Sequence, residues 1–215
     1  MRIAILISGR GSNMTKLIDS CKEDIQSSTI ELVFSNSSEA KGLEFAKKEN
    51  IPTEIIDHKK FKTREEFDNK LHRKLKKYEI DFICNAGFMR ILSKEFVEKW
   101  FNKQINIHPS ILPAFKGLDI HKRIIDSNVQ VSGCTVHLVR AGVDEGPIIG
   151  QLSTYIDSTY DEKKLANKIL ELEHKLYPTC LKLFSEELIK VEGDNIKYSR
   201  EALIELEKIQ NNNLN

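Results

Sequence analysis

The chain is organised around Gln104-Ile105-Asn106-Ile107-His108-Pro109-Ser110-Ile111-Leu112-Pro113. The alternation of isoleucine with polar residues predicts a short strand, in which residues i and i+2 point to the same face. Asn106 and His108 therefore leave this strand side by side. Pro109 and Pro113 remove backbone donors and fix two φ angles, so they end the strand and stiffen its edge.

This pair of side chains allows two interpretations. An amide donor beside a titratable ring suits an oxyanion that forms during a reaction and also needs a proton. Alternatively, Asn106 caps a turn and His108 is an ordinary surface residue. The pair alone does not decide between them, because a short motif is only a hypothesis.

Length and net charge limit the number of domains and the kinds of partner that this chain can have. A chain of 215 residues is long enough for one large α/β domain or two small ones. Its 33 basic and 32 acidic residues nearly cancel, which argues against nucleic acid or a membrane surface as partner. No apolar run approaches the roughly 18 residues of a membrane span. The apolar N-terminus lacks a cleavage site and is better interpreted as a buried first strand.

The cysteines and histidines are scattered. Cys21, Cys84, Cys134 and Cys180 form no C-x-x-C pair, which is typical of reduced thiols in a cytoplasmic protein. No H-E-x-x-H motif is present either. We therefore expect no metal.

The N-terminal segment combines a strand, a glycine turn and a helix. Residues 2–7 are apolar, Ser8-Gly9-Arg10-Gly11-Ser12-Asn13 follows, and a helical pattern begins after it. This arrangement places backbone N–H groups against an anion, and Ser12 and Asn13 suit helix N-caps that also donate to phosphate. Met14 breaks the dinucleotide fingerprint G-x-G-x-x-G. A single phosphate fits better, with a ligand-free tight turn as the alternative.

The same βα alternation continues and predicts a mostly parallel α/β sheet. It places strands near 30–34, 53–56, 81–85 and 105–108, and helices near 39–48 and 63–78, with a further helix capped by Ser93. The pattern then changes. We expect a short helix at 117–127, strands at 131–139 and 148–156, a long helix at 161–188, an edge strand at 193–197, and a tail that is helical and then frayed to 215. The connection 140–147 is too short for a crossover helix, so the two strands it joins should be antiparallel.

Two loops lie where this topology predicts ligand binding. The first, 86–92, follows a strand at its carboxyl end and carries Phe88, Met89, Ile91 and Leu92, which either line a flat slot or pack in the core. The second carries Asp144 between glycines. A carboxylate that reached His108 would raise the pKa of the imidazole and favour an acid, although aspartate in such a loop is more often a turn former.

Four motifs, taken in order, resemble a known family. They are Ile7-Ser8-Gly9-x-Gly11-Ser12-Asn13, Ala86-Gly87-Phe88-Met89-Arg90-Ile91-Leu92, Asn106-Ile107-His108-Pro109-Ser110-x-Leu112-Pro113 and Val143-Asp144-x-Gly146-Pro147-Ile148. From Met1 to about Leu183 the chain resembles the phosphoribosylglycinamide formyltransferases, which act in de novo purine synthesis. The third motif marks only the wider formyltransferase superfamily, whereas the Gly-Ser-Asn loop narrows it to the glycinamide ribonucleotide branch.

The resemblance implies a single-domain, Rossmann-like fold and a role for each motif. It implies direct formyl transfer by Asn106, His108 and Asp144, with 10-formyltetrahydrofolate as co-substrate. Residues implied to bind the ribonucleotide are Gly11, Ser12, Asn13, Pro109, Leu170 and Glu173. Those implied to bind the folate are Arg64, Met89, Arg90, Ile91, Leu92, Asn106, Arg140, Ala141, Gly142, Val143 and Asp144. Without the resemblance, Glu173 would be interpreted as an exposed helix charge.

The sequence predicts one domain followed by a tail, and a few of its residues depart from the family pattern. We expect one formyltransferase domain, 1–190, with a ribonucleotide half at about 1–100 and a folate and catalytic half at about 101–190, followed by a tail, 191–215. Ala114-Phe115-Lys116 and Ser132 depart from the usual family residues. The segment after Glu192 does not match the family pattern. Formyltetrahydrofolate hydrolase and methionyl-tRNA formyltransferase are less favoured, because no N-terminal regulatory domain or large C-terminal domain is evident. A non-catalytic nucleotide-binding module would leave Asn106, His108 and Asp144 unexplained.

Overall fold

The computed structural model describes residues 1–211, which fold into two compact units. The first unit comprises Met1–Asn106 and Val139–Ala141, and the second comprises Ile107–Leu138 and the described residues from Gly142 to Asn211. Each unit combines helices with strands, so the predicted α/β class is confirmed. The predicted single domain with halves meeting near residue 100 stays a prediction.

The first unit is built on parallel strands that run β3-β2-β1-β4-β5. The strands are β1 (Arg2–Ile7), β2 (Thr29–Ser35), β3 (Thr53–Ile55), β4 (Phe82–Asn85) and β5 (Gln104–His108), whose last two residues belong to the second unit. The helices are α1 (Ser12–Glu23), α2 (Gly42–Lys48), α3 (Arg64–Lys77) and α4 (Lys94–Lys99), with a 3-10 turn at His58–Lys60.

Apolar side chains on both faces of the parallel strands form the core of this unit. Residues 3–7 of β1 are fully buried, as expected for a parallel strand covered on both sides. Phe34 lies edge-on to the rings of Phe67 and Phe88, at 6.1 and 6.2 Å between centroids. Ser93 caps α4 by accepting a hydrogen bond from Phe96 N, as its sequence position predicts.

The second unit contains antiparallel strands packed against a long helix. Its elements are α5 (Ile120–Asp126), β6 (Val131–Leu138), β7 (Ile148–Tyr155), α6 (Glu162–Ser185), β8 (Ile189–Glu192), β9 (Asn195–Tyr198) and α7 (Arg200–Asn211). β6 and β7 pair antiparallel, as predicted, and α6 packs against both. Burial of Leu165, Ile169, Leu172 and Leu176 confirms the predicted inner face of α6.

Several predicted boundaries differ from the structure. The helix expected at 117–127 begins only at Ile120, because Gly117 and Asp119 have positive φ angles of 86° and 53°. The helix expected from 39 begins at Gly42. The C-terminal strand begins at Asn195 and pairs with β8 in a hairpin of its own. The tail is helical to Asn211, and its predicted frayed end falls on 212–215, outside the described residues. Within 1–211, no helix is both long and apolar enough to cross a membrane.

Candidate active site

His108 ends β5 as a buried side chain with an acceptor opposite each ring nitrogen. Its Nδ1 lies 3.3 Å from Oδ2 of Asp144, and only 5% of the side chain is exposed. Its Nε2 lies 3.0 Å from the carbonyl oxygen of Phe115. The contact between Asp144 and His108 that the sequence analysis considered is therefore present.

Asp144 is held by three groups of the second unit. Besides His108, its Oδ2 accepts a hydrogen bond of 2.9 Å from Gly117 N, and its Oδ1 lies 3.7 Å from Nε2 of His137. The residue has a φ angle of 53°, a left-handed conformation that aspartate tolerates better than most side chains. Asp144 is thus both a turn former and a partner of His108, which joins the two interpretations that the sequence left open.

His137 is a member of this cluster that the sequence did not identify. It lies on β6, 2% exposed, and its Nδ1 is 2.9 Å from the carbonyl oxygen of Leu138. Burial lowers the pKa of His137 from its usual 6.5, opposed by the Leu138 carbonyl and by the Asp144 carboxylate. The available signal was a histidine at the end of a strand that leads directly into the loop of Asp144.

The turn after β5 is fixed by side chains as well as by its prolines. Thr135 Oγ1 donates to the carbonyl oxygen of Ser110 at 2.7 Å and accepts from Leu112 N at 3.0 Å. Gln151 Nε2 donates to the carbonyl oxygen of Leu112 at 2.9 Å. Side chains of β6 and β7 therefore tie down the turn that the prolines were predicted to stiffen.

The glycine turn of the first unit differs in detail from its prediction. Gly11, not Ser12 or Asn13, is the N-cap of α1, and it has a φ angle of 77° and no side-chain cap. Ser12 and Asn13 instead form the first turn of the helix, whose leading N–H groups have no intrahelical acceptor. A Cβ on Gly11 would lie 3.0 Å from the Cα of Gly42. Gly42, which the sequence analysis did not single out, therefore allows the glycine turn to pack tightly against α2.

The loop 86–92 divides its apolar side chains between core and surface. Phe88 and Leu92 are buried, at 9% and 7% exposure, whereas Met89 and Ile91 are 70% and 52% exposed. Core packing therefore holds for Phe88 and Leu92, whereas a ligand slot lined by Met89 and Ile91 stays a prediction. Met89 N donates to Ser8 Oγ at 2.8 Å, and Ser8 N donates to the carbonyl oxygen of Gly87 at 3.1 Å. The end of β1 thus supports the start of the loop.

Two of the three arginines predicted to bind folate, Arg64 and Arg140, have different surroundings. Arg64 is the exposed first residue of α3. Arg140 lies 4.1 Å above the ring of Phe101, and its Nη2 donates to Oδ1 of Asn102 at 2.7 Å. The side chain of Arg140 is therefore already engaged by Phe101 and Asn102. Farther along this loop, Ala141 and Val143 are exposed.

Glu173 is buried on α6, with 7% of its surface exposed, so it is not an exposed helix charge. Burial first, and the charge of Glu173 second, raise the pKa of the Cys134 thiol. Leu170 and Pro109 are partly exposed in the same unit. A buried carboxylate on a helix that covers a sheet is costly, which is typical of a functional residue.

Comparison with known proteins gives consistent matches over most of the chain. A family model described as formyl transferase matches residues 1–181. The trifunctional purine biosynthetic protein adenosine-3 of Homo sapiens is 43% identical over 196 residues, which cover 91% of this chain and 19% of that protein. The chain thus spans about a fifth of such multidomain relatives. Phosphoribosylglycinamide formyltransferase of Escherichia coli (strain K12) is 36% identical over 191 residues, 89% of this chain and 90% of that protein.

Solved structures are similar in fold. Phosphoribosylglycinamide formyltransferase from Anaplasma phagocytophilum has a TM-score of 0.86 at 37% identity, covering 94% of this chain and 95% of the other. Glycinamide ribonucleotide transformylase 1 from Symbiobacterium toebii has a TM-score of 0.89 at 37% identity, covering 93% and 94%.

Proposed function

Since the chain belongs to the formyl transferase family, among its phosphoribosylglycinamide formyltransferases, we propose that it formylates N1-(5-phosphoribosyl)glycinamide in de novo purine synthesis. The donor is 10-formyltetrahydrofolate. The amine attacks the formyl carbon directly, a tetrahedral intermediate forms, and N10 of the folate leaves with a proton. No covalent enzyme intermediate is needed.

The contact between His108 and Asp144 is the observation that carries this proposal. The carboxylate lies 3.3 Å from Nδ1 of a buried imidazole. In the proposed mechanism, Asp144 orients His108 through Nδ1, and Nε2 exchanges the Phe115 carbonyl for the substrate, where it stabilises the oxyanion and supplies the proton for N10. Asp144 also orients a water that carries away the proton of the amine. Asn106, two residues before His108 on β5, donates to the oxyanion.

The ribonucleotide is assigned to residues that suit a phosphate and a ribose. Gly11, Ser12 and Asn13 form a left-handed turn and the first helical turn, where backbone N–H groups and the helix dipole favour an anion. Glu173 would accept hydrogen bonds from ribose hydroxyls. Pro109 and Leu170, both partly exposed, are proposed to contact the same substrate.

Backbone groups are proposed to bind the pterin of the folate. Within the described residues, the N–H and C=O groups of Arg90, Ile91 and Leu92 make no backbone hydrogen bond, which leaves them available to a ligand. Met89, Asn106 and the loop from Arg140 through Ala141, Gly142 and Val143 to Asp144 complete the proposed folate contacts. Arg64, exposed on α3, would meet the anionic tail of the folate.

We also propose that the enzyme acts in the cytoplasm on small molecules alone, with no metal, nucleic acid or membrane. Among the described residues, Cys21, Cys84, Cys134 and Cys180 form no disulfide, which suits a reducing compartment. The proposed reaction needs no Lewis acid, because an amide donor and an acid are assigned to the developing charge. The absence of a metal stays a prediction.

Turnover of 10-formyltetrahydrofolate, followed by absorbance with and without the ribonucleotide, tests the function. We expect consumption that requires the ribonucleotide. Consumption with water alone would indicate a hydrolase, and no consumption by the folded protein would refute the catalytic assignment.

The variant Asn106→Ala tests the oxyanion donor. Loss of one such donor costs about 10²–10³ in kcat, so we expect nearly complete loss of turnover with an unchanged unfolding midpoint. Asn167→Ala, at an exposed position on α6, is the matched control and should keep its turnover. Near wild-type turnover in Asn106→Ala would contradict the assignment.

A further inference from the structure

Asp68 is a buried carboxylate on α3 for which the proposed reaction gives no role. It is 2% exposed, and its Oδ2 accepts a hydrogen bond of 2.6 Å from Ser93 N. Its Oδ1 has no hydrogen-bond partner among the described residues 1–211. Burial raises the pKa of Asp68 above its usual 3.8, opposed by Ser93 and by the charges of Arg64 and Arg90. A half-satisfied buried carboxylate costs folding free energy, so stability alone does not account for it.

The hydrogen bond from Ser93 places Asp68 at one end of the proposed pterin-binding segment, Met89–Leu92. Ser93 follows this segment directly and caps α4. The other end is held by Ser8, which accepts from Met89 N at 2.8 Å and donates to Asn36 Oδ1 at 2.6 Å. The segment is therefore anchored at both ends, while its middle residues keep their backbone groups unpaired within the described chain.

Arg90 links the same carboxylate to the middle of the segment. Its guanidinium carbon lies 5.6 Å from the ring centroid of Phe67, which precedes Asp68 on α3. Its Nε is buried and has no hydrogen-bond partner among residues 1–211. The negative charge of Asp68 and the ring of Phe67 attract this side chain toward α3. With the side chain drawn inward, the backbone of Arg90 can face a ligand.

A neutral acceptor would serve Ser93 N equally well. Asparagine or serine can accept the same hydrogen bond without the cost of a buried charge. A charge is needed only if it acts on the arginines. We infer that Asp68 is a positioning residue, which holds Met89–Leu92 in the conformation that binds the folate co-substrate. This inference rests on the proposed function.

Binding measurements on Asp68→Asn and Asp68→Ala test the inference. Titration calorimetry with a dideaza analogue of 10-formyltetrahydrofolate should give a dissociation constant raised roughly tenfold in Asp68→Asn and more in Asp68→Ala. The dissociation constant for the ribonucleotide should not change. The unfolding midpoint of Asp68→Asn should be equal to or above that of wild type, because the buried charge is gone.

Two matched variants separate this role from simpler ones. Glu65→Gln removes an exposed acid from the same helical turn and should leave folate affinity unchanged. Ser93→Ala removes the hydroxyl that caps α4 and keeps the N–H that Asp68 accepts. The Ser93 hydroxyl also acts on the Asp68 carboxylate, so we expect lower stability and a smaller loss of folate affinity than in Asp68→Ala.

Hydrogen exchange of the ligand-free protein gives a readout that does not depend on the proposed function. The amides of Met89 and Ser93 should exchange faster in Asp68→Ala than in wild type. Unchanged exchange, unchanged folate affinity, or equal weakening of both ligands together with lost stability would overturn the inference. If wild type binds no folate, the proposed function fails, and the exchange rates still decide whether Asp68 anchors the segment.

Discussion

At the scale of single residues, the geometry of the site depends on backbone conformations that few residues tolerate. Asp144 adopts a left-handed φ of 53°, and Gly117, which donates to its carboxylate, has a φ of 86°. These conformations let the two loops approach each other within the second unit. In the first unit, Gly11 and Gly42 allow a similarly close approach, because a Cβ on either would lie within 3.2 Å of the other's Cα.

Gly42→Ala tests the approach of Gly42 to the glycine turn. Its new Cβ would lie 2.7 Å from Ile7 Cδ1 and 3.2 Å from Gly11 Cα, so the Ile7 side chain must move and the turn must give slightly. We expect a loss of about 1–3 kcal/mol in the free energy of unfolding, as for other overpacked sites, and weaker ribonucleotide binding. Urea unfolding and calorimetry measure both. Gly9→Ala, whose Cβ would meet nothing within 4 Å, is the control for stability, and equal stability of the two variants would contradict the prediction.

At the scale of elements, the C-terminal segment is an integral part of the second unit. Tyr198, at the end of β9, places its hydroxyl 3.1 and 3.0 Å from the carbonyl oxygens of Ile148 and Ile149 on β7. α7 packs against the same strand, where a Cβ on Gly150 would lie 3.1 Å from Leu206 Cδ2. The hairpin and α7 therefore cover β7, a strand that would otherwise present backbone carbonyls.

Tyr198→Phe tests whether this covering stabilises the unit. Loss of the hydroxyl leaves the two carbonyls without that donor, and we expect the free energy of unfolding to fall by about 0.5–1.5 kcal/mol. Urea titration followed by circular dichroism measures it. Tyr155→Phe removes a hydroxyl from a residue that is 75% exposed and should leave the midpoint unchanged. A Tyr198→Phe midpoint equal to that of wild type would show that the contact adds nothing.

At the scale of the whole molecule, three partly or fully buried histidines couple stability to pH. Burial lowers the pKa of His72, His121 and His137 below the usual 6.5. Between the folded pKa and 6.5, the unfolded chain binds more protons than the folded chain. The free energy of unfolding must therefore rise with pH through this window and fall as the pH drops below about 6.5.

Unfolding midpoints at several pH values between about 7.5 and 5.5 test this coupling. We expect the midpoint to fall on acidification, and we expect a shallower fall in His72→Asn, which removes one of the three groups. Asp68, whose raised pKa acts in the opposite direction, is present in both proteins and cancels from the comparison. A midpoint independent of pH, or an equal slope in the variant, would contradict the prediction.

Much of the fold follows from patterns that are local in the sequence. The apolar run of β1, the helical spacing of Leu165 and Ile169, and the short connection between β6 and β7 were sufficient to predict parallel strands in the first unit and, in the second, an antiparallel pair and a long helix. Local sequence rules predicted a helix boundary less reliably where a single φ angle determines it. α5 begins three residues later than predicted from Gly117, because Gly117 and Asp119 have positive φ.

The sequence by itself determined most of the order of strands and helices, although not β8, together with the residue types available for chemistry and the positions of Asn106 and His108 on one face of β5. Periodicity predicts which face of a strand or helix a side chain occupies. It does not predict which residue, far along the chain, that side chain contacts. Only the tertiary structure placed His137 beside Asp144, Gly42 against Gly11, and Asp68 on Ser93 N. Each of these contacts joins separate elements, so packing between elements, rather than any local preference, decided them.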